Sequence, residues 1–330
     1  MAVSLRHTWP QLISLDTAGS DLLGTTVCGM TLGRKVLVAG ATGQVGFPVA
    51  VALAAQTEVW ALARFTDAAA RRRLEDAGVH CVAVDLGSGD LSSLPSDFTE
   101  VANFSVLRSN DWDVDLDANA GGVGTLMNHC RSARAFLHCS STAVYQPNGH
   151  HAFVETDPLG DNHRVFGFLS TYSICRIAAE AMVRWCARQL KLPTTIARLN
   201  LPYGENGWPA MHLEMLLGGK PIPVHTDAPS VYNPIHDDDV ATMVPKLLDV
   251  ASVPATIVNW GGDDAVSIED WCTYLGKLVG VEPTFLPTDQ TIESVTVDLT
   301  KMHELVGHTT VVWHEGFRRM VESRHPEALL

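Results

Sequence analysis

The chain has 330 residues, long enough for a large core built as one α/β unit with an appended lobe, or as two domains. Its 23 basic against 37 acidic side chains give a formal net charge of −14, which repels phosphate backbones and anionic lipid, so neither nucleic acid nor membrane is an expected partner. The densest basic cluster, Arg71-Arg72-Arg73, runs straight into Glu75 and Asp76 and reads as a solvated helix face.

Residues 1–33 precede the first convincing strand, show no periodicity and lack the continuous apolar run of a signal peptide; they are taken as an extension of unknown role. The most apolar stretch, 45–55, is too short to span a bilayer and contains Pro48. Seven scattered cysteines (Cys28, Cys81, Cys130, Cys139, Cys175, Cys186, Cys272) include no Cys-x-x-Cys, which suits buried thiols in a reducing cytoplasm better than disulfides or zinc.

From residue 35 the pattern alternates. Strands are expected at 35–39, 58–63, 80–84, 100–106, 135–139, 194–199 and 256–260, with helices at 44–55, 67–77, 118–131 and 170–190. Strands separated by helices of this length imply a doubly wound, Rossmann-type α/β fold with a parallel sheet. On the last helix Ile174, Ile177, Ala178, Ala181, Met182 and Trp185 form one apolar stripe, facing either the sheet or a second subunit. After Leu199 proline and glycine become frequent. The expected division is therefore a dinucleotide-binding domain of 34–200 plus 234–260, and a smaller C-terminal lobe of 201–233 plus 261–330.

The first strand runs into Gly40-Ala41-Thr42-Gly43-Gln44-Val45-Gly46. In such a turn Gly40 permits the tight strand exit, Gly43 lets the backbone approach a pyrophosphate, and Gly46 lets the helix lie close to the strand. The helix N-terminus then offers free N–H groups to the phosphates. About twenty residues on, where an NAD site usually places a carboxylate, the chain reads Ala61-Leu62-Ala63-Arg64. A guanidinium there can fork onto a 2′-phosphate, so NADP is favoured, with NAD still possible; the alternative is that Arg64 caps a surface loop. Asp85, followed by Leu86, can meet the adenine or serve as an ordinary turn residue.

These residues resemble the extended short-chain dehydrogenase/reductase family, its epimerase/dehydratase-like branch, over roughly 35–320. The glycine turn, Asp85-Leu86, Asn119, the segment Ser140-Ser141-Thr142-Ala143-Val144-Tyr145, and Tyr172 with Glu180 match in order, as do the loop from Arg198 to Gly204 and the segment Ile235-His236-Asp237-Asp238-Asp239-Val240. The resemblance implies that Tyr172 is the general acid/base, that Ser141 bonds the reacting oxygen, and that residue 176 holds the nicotinamide ribose and lowers the tyrosine pKa. It further implies dinucleotide contacts from Thr42, Gln44, Val45, Ser105, Leu201 and Pro202, and a homodimer through the helices near Asn119 and Tyr172. A cation one helical turn from a phenol does favour phenolate.

The chain departs from the family pattern at informative places. Arg176 stands where the family has lysine, keeping the charge but not the compact ammonium shape; it can substitute fully, work slowly, or mark a site that only binds. No arginine precedes Ile235, where nucleotide-sugar members grip a diphosphate, so a small, uncharged or weakly polar substrate is expected. Trp112, Phe166, Phe168, Tyr203, Trp208 and Met211 lie in segments expected to overhang the nicotinamide, unless they are core. Asn103 to Val106 replaces the family's usual fourth-strand end. His150, His151 and His163 read as a lid or surface loop and Asp237-Asp238-Asp239 as helix capping, so no metal site is expected. The expected activity is reversible oxidation of a secondary alcohol by NADP or NAD; the alternatives are an epimerase or dehydratase with a retained dinucleotide, and a redox-inactive dinucleotide sensor or partner protein.

Overall fold

The computed structural model describes residues 33–330, so the N-terminal extension and Cys28 lie outside the described residues, apart from Gly33. Seven strands form one sheet: β1 Lys35–Ala39, β2 Glu58–Ala63, β3 His80–Ala83, β4 Glu100–Asn103, β5 Ala135–Ser141, β6 Thr194–Leu199 and β7 Thr256–Trp260. Their order is β7-β6-β5-β4-β1-β2-β3, every pairing parallel, with Leu37 opposite Trp60 on one side and Val101 on the other. Strand order reverses beside β1, and the crevice this opens at the carboxyl ends is where such sheets bind ligands.

Both faces are covered, so the strands read as near-continuous apolar runs. Helix α1 (Gly46–Ala54) and a helix over Asp237–Asp249 pack together on one face, while Gly122–His129 and Tyr172–Leu190 pair on the other. The apolar core on the α1 face runs continuously from Val36 to Val321, so the two expected lobes share it. The core on the opposite face is built from Leu37, Phe98, Leu126 and Val183, among others.

Side chains explain where boundaries moved. Asp67 accepts hydrogen bonds from the backbone N–H groups of Ala69 and Ala70 and starts α2, Ala68–Asp76. Strand β4 stops at Asn103, three residues early, because Asn103 Oδ1 accepts from both the backbone and hydroxyl of Ser105 and turns the chain outward. A helix not foreseen, α3 (Trp112–Leu116), is capped by Asp111. The helix expected over 118–131 opens as a wide turn at Asp117–Gly121 before α4, Gly122–His129. There Asn119 bonds both the N–H and C=O of Leu107 instead of continuing a regular helix face.

Helix α5, Tyr172–Leu190, buries Cys175, Arg176, Ala179, Glu180, Val183 and Cys186. The expected six-residue stripe is split: Ile174, Ala181 and Trp185 are exposed, Trp185 at 54%, whereas Ile177 and Met182 pack against the core. Beyond β6, short strands pair Leu201–Tyr203 with Pro234–His236 and Ile222–His225 with Phe285–Thr288. Helices α6 (Trp208–Leu217), α7 (Asp237–Asp249), α8 (Ile268–Val279), α9 (Thr300–Val306) and α10 (Trp313–Arg324) complete the chain. The six described cysteines are unpaired and all but Cys81 are buried. No described helix is long and apolar enough to cross a membrane.

Candidate active site

The glycine turn is forced by close packing. Gly40 has φ +76°, and a Cβ there would stand 2.6 Å from the backbone nitrogen of Ser105. At Gly46 a Cβ would lie 2.4 Å from the carbonyl oxygen of Gly40, so only glycine lets α1 start this close to β1. No side chain caps α1, the Phe47 N–H is taken by the Gly43 carbonyl, and Gly43 to Gly46 line the crevice, so the start of the helix stands where an anion would be held. Gln44 Nε2 donates to the carbonyl of Pro202 at 2.8 Å and ties this turn to the loop after β6.

A groove of about 380 Å³ runs across the carboxyl ends of the strands, from Leu62, Arg64, Asp85 and Leu86 at one end to Ser141, Tyr172 and Arg176 at the other. Thr42, Gln44, Val45, Ser105 and Pro202 also line it. Leu201 does not: its side chain is buried in the core, and the neighbouring wall is Leu199, Asn200 and Pro202. Three cations, Arg64, Arg108 and Arg176, face one carboxylate, Asp85, which reverses locally the charge of an acidic chain. Asp85 spends one oxygen on the N–H of Gly87 at 3.0 Å, so the turn role and the groove position coexist. An uncapped helix start, a glycine cradle and this local charge fit a pyrophosphate-bearing dinucleotide.

At the inner end Ser141 closes β5, its hydroxyl accepting from the backbone N–H of Ala143, and lines the groove together with Tyr172, the first residue of α5. The Arg176 guanidinium lies 5.2 Å from the Tyr172 ring centroid and donates through Nη1 to the carbonyl of Cys139 at 3.3 Å. Burial pushes the Tyr172 phenol up, but the Arg176 charge and the polar Ser141 hydroxyl beside it outweigh this, and its pKa falls below the ordinary value. Arg176 Nε is buried without a partner, as are Ser173 Oγ and His138 Nε2. Burial, with the Arg176 charge, pushes His138 down to about 3, so this imidazole is neutral.

Helix α5 is pinned from below. Arg198 on β6 grips Glu180 through Nε at 2.9 Å and Nη2 at 2.8 Å, and Ser140 Oγ donates to the same carboxylate at 2.7 Å. Arg198 Nη1 also donates to Tyr145 Oη and to the carbonyl of Glu155. Glu180, Arg198 and Tyr145 are thus a buried brace, away from the reacting end.

The aromatic overhang is corrected in part. Tyr203 is fully buried, its ring edge-on to Phe317 at 4.5 Å, and none of Trp112, Phe166, Phe168, Trp208 or Met211 lines the groove. Instead His163 stands 5.2 Å from the Tyr172 ring, its Nδ1 held by Asn162 Oδ1 at 2.5 Å. Burial pushes His163 down to about 4. His150 and His151 point elsewhere, to Ser294 and Asp157. The three aspartates do not cap their own helix: His236 accepts from the backbone N–H of Asp238, while Asp239 accepts from Thr310 and Val311. Arg108 and Asn200 also line the groove without having been singled out by the sequence; Arg108 lies in a loop with no motif, and Asn200 inside the Arg198–Gly204 loop, whose match assigned it no role.

Comparison with known proteins adds the decisive observation. The sequence model of the NAD dependent epimerase/dehydratase family matches residues 36–261. The chain belongs to this family. Its members are enzymes of the extended short-chain type, so the family accounts for the fold and the glycine turn together. A trifunctional UDP-glucose 4,6-dehydratase, UDP-4-keto-6-deoxy-D-glucose 3,5-epimerase and UDP-4-keto-L-rhamnose-reductase of Arabidopsis thaliana is 27% identical over 230 residues, 63% of this chain and 33% of that protein. The chain spans about a third of the length of the two Arabidopsis relatives it matches. A dTDP-glucose 4,6-dehydratase of Neisseria gonorrhoeae is 25% identical over 162 residues, 46% of this chain and 45% of that one. Among solved structures, a UDP-glucuronic acid 4-epimerase from Bacillus cereus in complex with NAD superposes with a TM-score of 0.74 at 21% identity, covering 88% of this chain and 98% of that one. A UDP-glucose 4-epimerase from Thermotoga maritima gives 0.75 at 19% identity, covering 89% and 99%.

Proposed function

We propose that this family member binds a nicotinamide dinucleotide in the groove and reversibly oxidises a secondary alcohol to a carbonyl, with Tyr172 as the acid/base. The observation that carries this reading is the meeting of Ser141, Tyr172 and Arg176 at the far end of the groove from Arg64. The bound dinucleotide would accept or supply the hydride. Tyr172, lowered toward neutrality by Arg176 and Ser141, takes the hydroxyl proton in oxidation and returns it in reduction. Arg176 remains charged throughout and orients the phenol through their contact. Exposed Arg64, with Asp85 set at a different strand end, supports NADP over NAD.

The wall around Tyr172 is Cys139, Ser140, Leu199, Asn200 and Pro202, with no carboxylate among the described residues there. Eliminating water from a sugar needs a second acid/base beside the tyrosine, so this wall favours oxidation, reduction or epimerisation over dehydration. A small, uncharged or weakly polar substrate agrees with the uncharged stretch from Ser230 to Asn233. The second reading, an epimerase on a nucleotide sugar with retained dinucleotide, is favoured by the names of the relatives. Dinucleotide that co-purifies, with no net absorbance change at 340 nm during turnover, would select it. Trp185 and Ile174 on the outer face of α5 support a homodimer through α4 and α5, which sedimentation of Trp185→Glu checks.

Tyr172→Phe is expected to lower turnover by roughly 10²–10⁴-fold while leaving dinucleotide affinity nearly unchanged. Unchanged turnover would exclude the assigned role.

A further inference from the structure

Just past the carboxyl end of β7, three side chains converge on one point. Asp263 follows β7, His303 lies in the last turn of α9, and His308 follows that helix. Their donor atoms all lie within 4.8 Å of one another. His303 Nε2 is 3.1 Å from Asp263 Oδ1 and His308 Nδ1 is 2.7 Å from Oδ2. The two imidazole rings stack at 3.9 Å with their planes 24° apart, so both present a nitrogen to the same carboxylate.

We propose that Asp263, His303 and His308 bind a divalent first-row transition ion, zinc foremost. Two imidazoles and one carboxylate suit zinc, nickel or copper and not magnesium or calcium, which prefer all-oxygen shells. Zinc with ligands at about 2.0–2.2 Å in a tetrahedron separates its donors by roughly 3.3 Å. The observed 2.7 and 3.1 Å are close to that spacing, and the three donors, all within 4.8 Å of one another, close on the ion once the stacked rings tilt so that both lone pairs meet it. Each ring now donates a proton to the carboxylate; on binding, those protons move to the opposite ring nitrogens and the freed lone pairs face the metal. Three protein ligands leave a fourth position for water.

The backbone holds this arrangement before any ion arrives. Gly307, at φ +89°, ends α9 and folds the chain so that His308 returns beside His303. Thr309 N–H donates to Asp263 Oδ1 at 3.2 Å, and Asp263 N–H donates to Thr309 Oγ1 at 3.2 Å. The next two residues are anchored by Asp239, which accepts from Thr310 N–H at 2.8 Å and Val311 N–H at 2.9 Å. A Cβ at Gly262 would stand 1.9 Å from the Pro234 carbonyl, so the backbone entering Asp263 has one seat. Ligands carried by segments tied down this way lose little entropy on binding. The ion would clip the end of β7 to α9 and to the segment leading into α10.

The test uses the full chain stripped with EDTA and titrated with zinc chloride by calorimetry, and with cobalt chloride by visible absorption. One equivalent is expected, with cobalt giving the bands of a four-coordinate site and zinc raising the melting midpoint. His303→Ala, His308→Ala and Asp263→Asn should each weaken zinc by at least about tenfold and abolish the thermal shift, since even outer partners of a metal contribute that much. All three side chains reach solvent, so the variants are expected to keep the fold, which circular dichroism checks. Equal zinc affinity in the chain and the three variants overturns the proposal, as does binding of calcium as tight as zinc.

Discussion

Arg198→Met isolates the brace beneath helix α5. The substitution keeps the stem volume and removes two donors to Glu180, one to Tyr145 and one to the Glu155 carbonyl. Glu180 is fully buried, and its remaining donor is Ser140 Oγ. Stranding a buried carboxylate in this way costs about 3–5 kcal/mol, a large part of the roughly 5–15 kcal/mol that holds a domain folded. Urea unfolding followed by circular dichroism measures it. The double variant Arg198→Met with Glu180→Met removes both charges and leaves only neutral groups short of partners, so it should cost less than the sum of the two single changes. Glu180 lies two turns along α5 from Tyr172, so the single variant should also weaken dinucleotide binding. A loss below about 1 kcal/mol for Arg198→Met, or strict additivity in the double variant, would refute the claim that this pair is a buried, mutually dependent brace.

Other outcomes follow from the same geometry. Arg64→Asp should weaken NADP roughly tenfold or more relative to NAD, measured by fluorescence titration, because it would replace the proposed 2′-phosphate donor with a repelling carboxylate. Gly46→Ala drives a Cβ against the Gly40 carbonyl and should cost about 1–3 kcal/mol of stability and most dinucleotide affinity. Burial, then the neighbouring Asp238 and Glu205 charges, push Asp237 up to about 7. A raised folded pKa means stability present below about pH 4 and lost as pH rises through 7. Melting of Asp237→Asn against pH should therefore show the variant gaining on the native chain between those values, and parallel curves would contradict it.

Much of the site was legible because it is local. Gly40, Gly43 and Gly46 fall within one turn, and Tyr172 and Arg176 within one turn of helix, so spacing alone brings each set together. Asn103 shows where local reading stops: its strand looked longer, but a side-chain bond to Ser105 turned the chain away. Tyr203 and Trp208 look alike in sequence as loop aromatics, yet one is sealed against Phe317 and the other is only half covered, a difference set by α10 more than a hundred residues later.

What the sequence determined by itself is the parallel sheet, the glycine turn and the spacing of Tyr172 and Arg176 on one helix, all written in periodicities and short motifs. Tertiary structure alone decided which groups act together across the chain. Arg108 joins Arg64 in one groove, His163 reaches Tyr172, Arg198 braces Glu180, and Asp263 meets His303 and His308, each through segments that share no period or spacing. The physical reason is that charge, burial and coordination depend on distance in space, and a crossover connection brings residues together without leaving a mark between them in the chain.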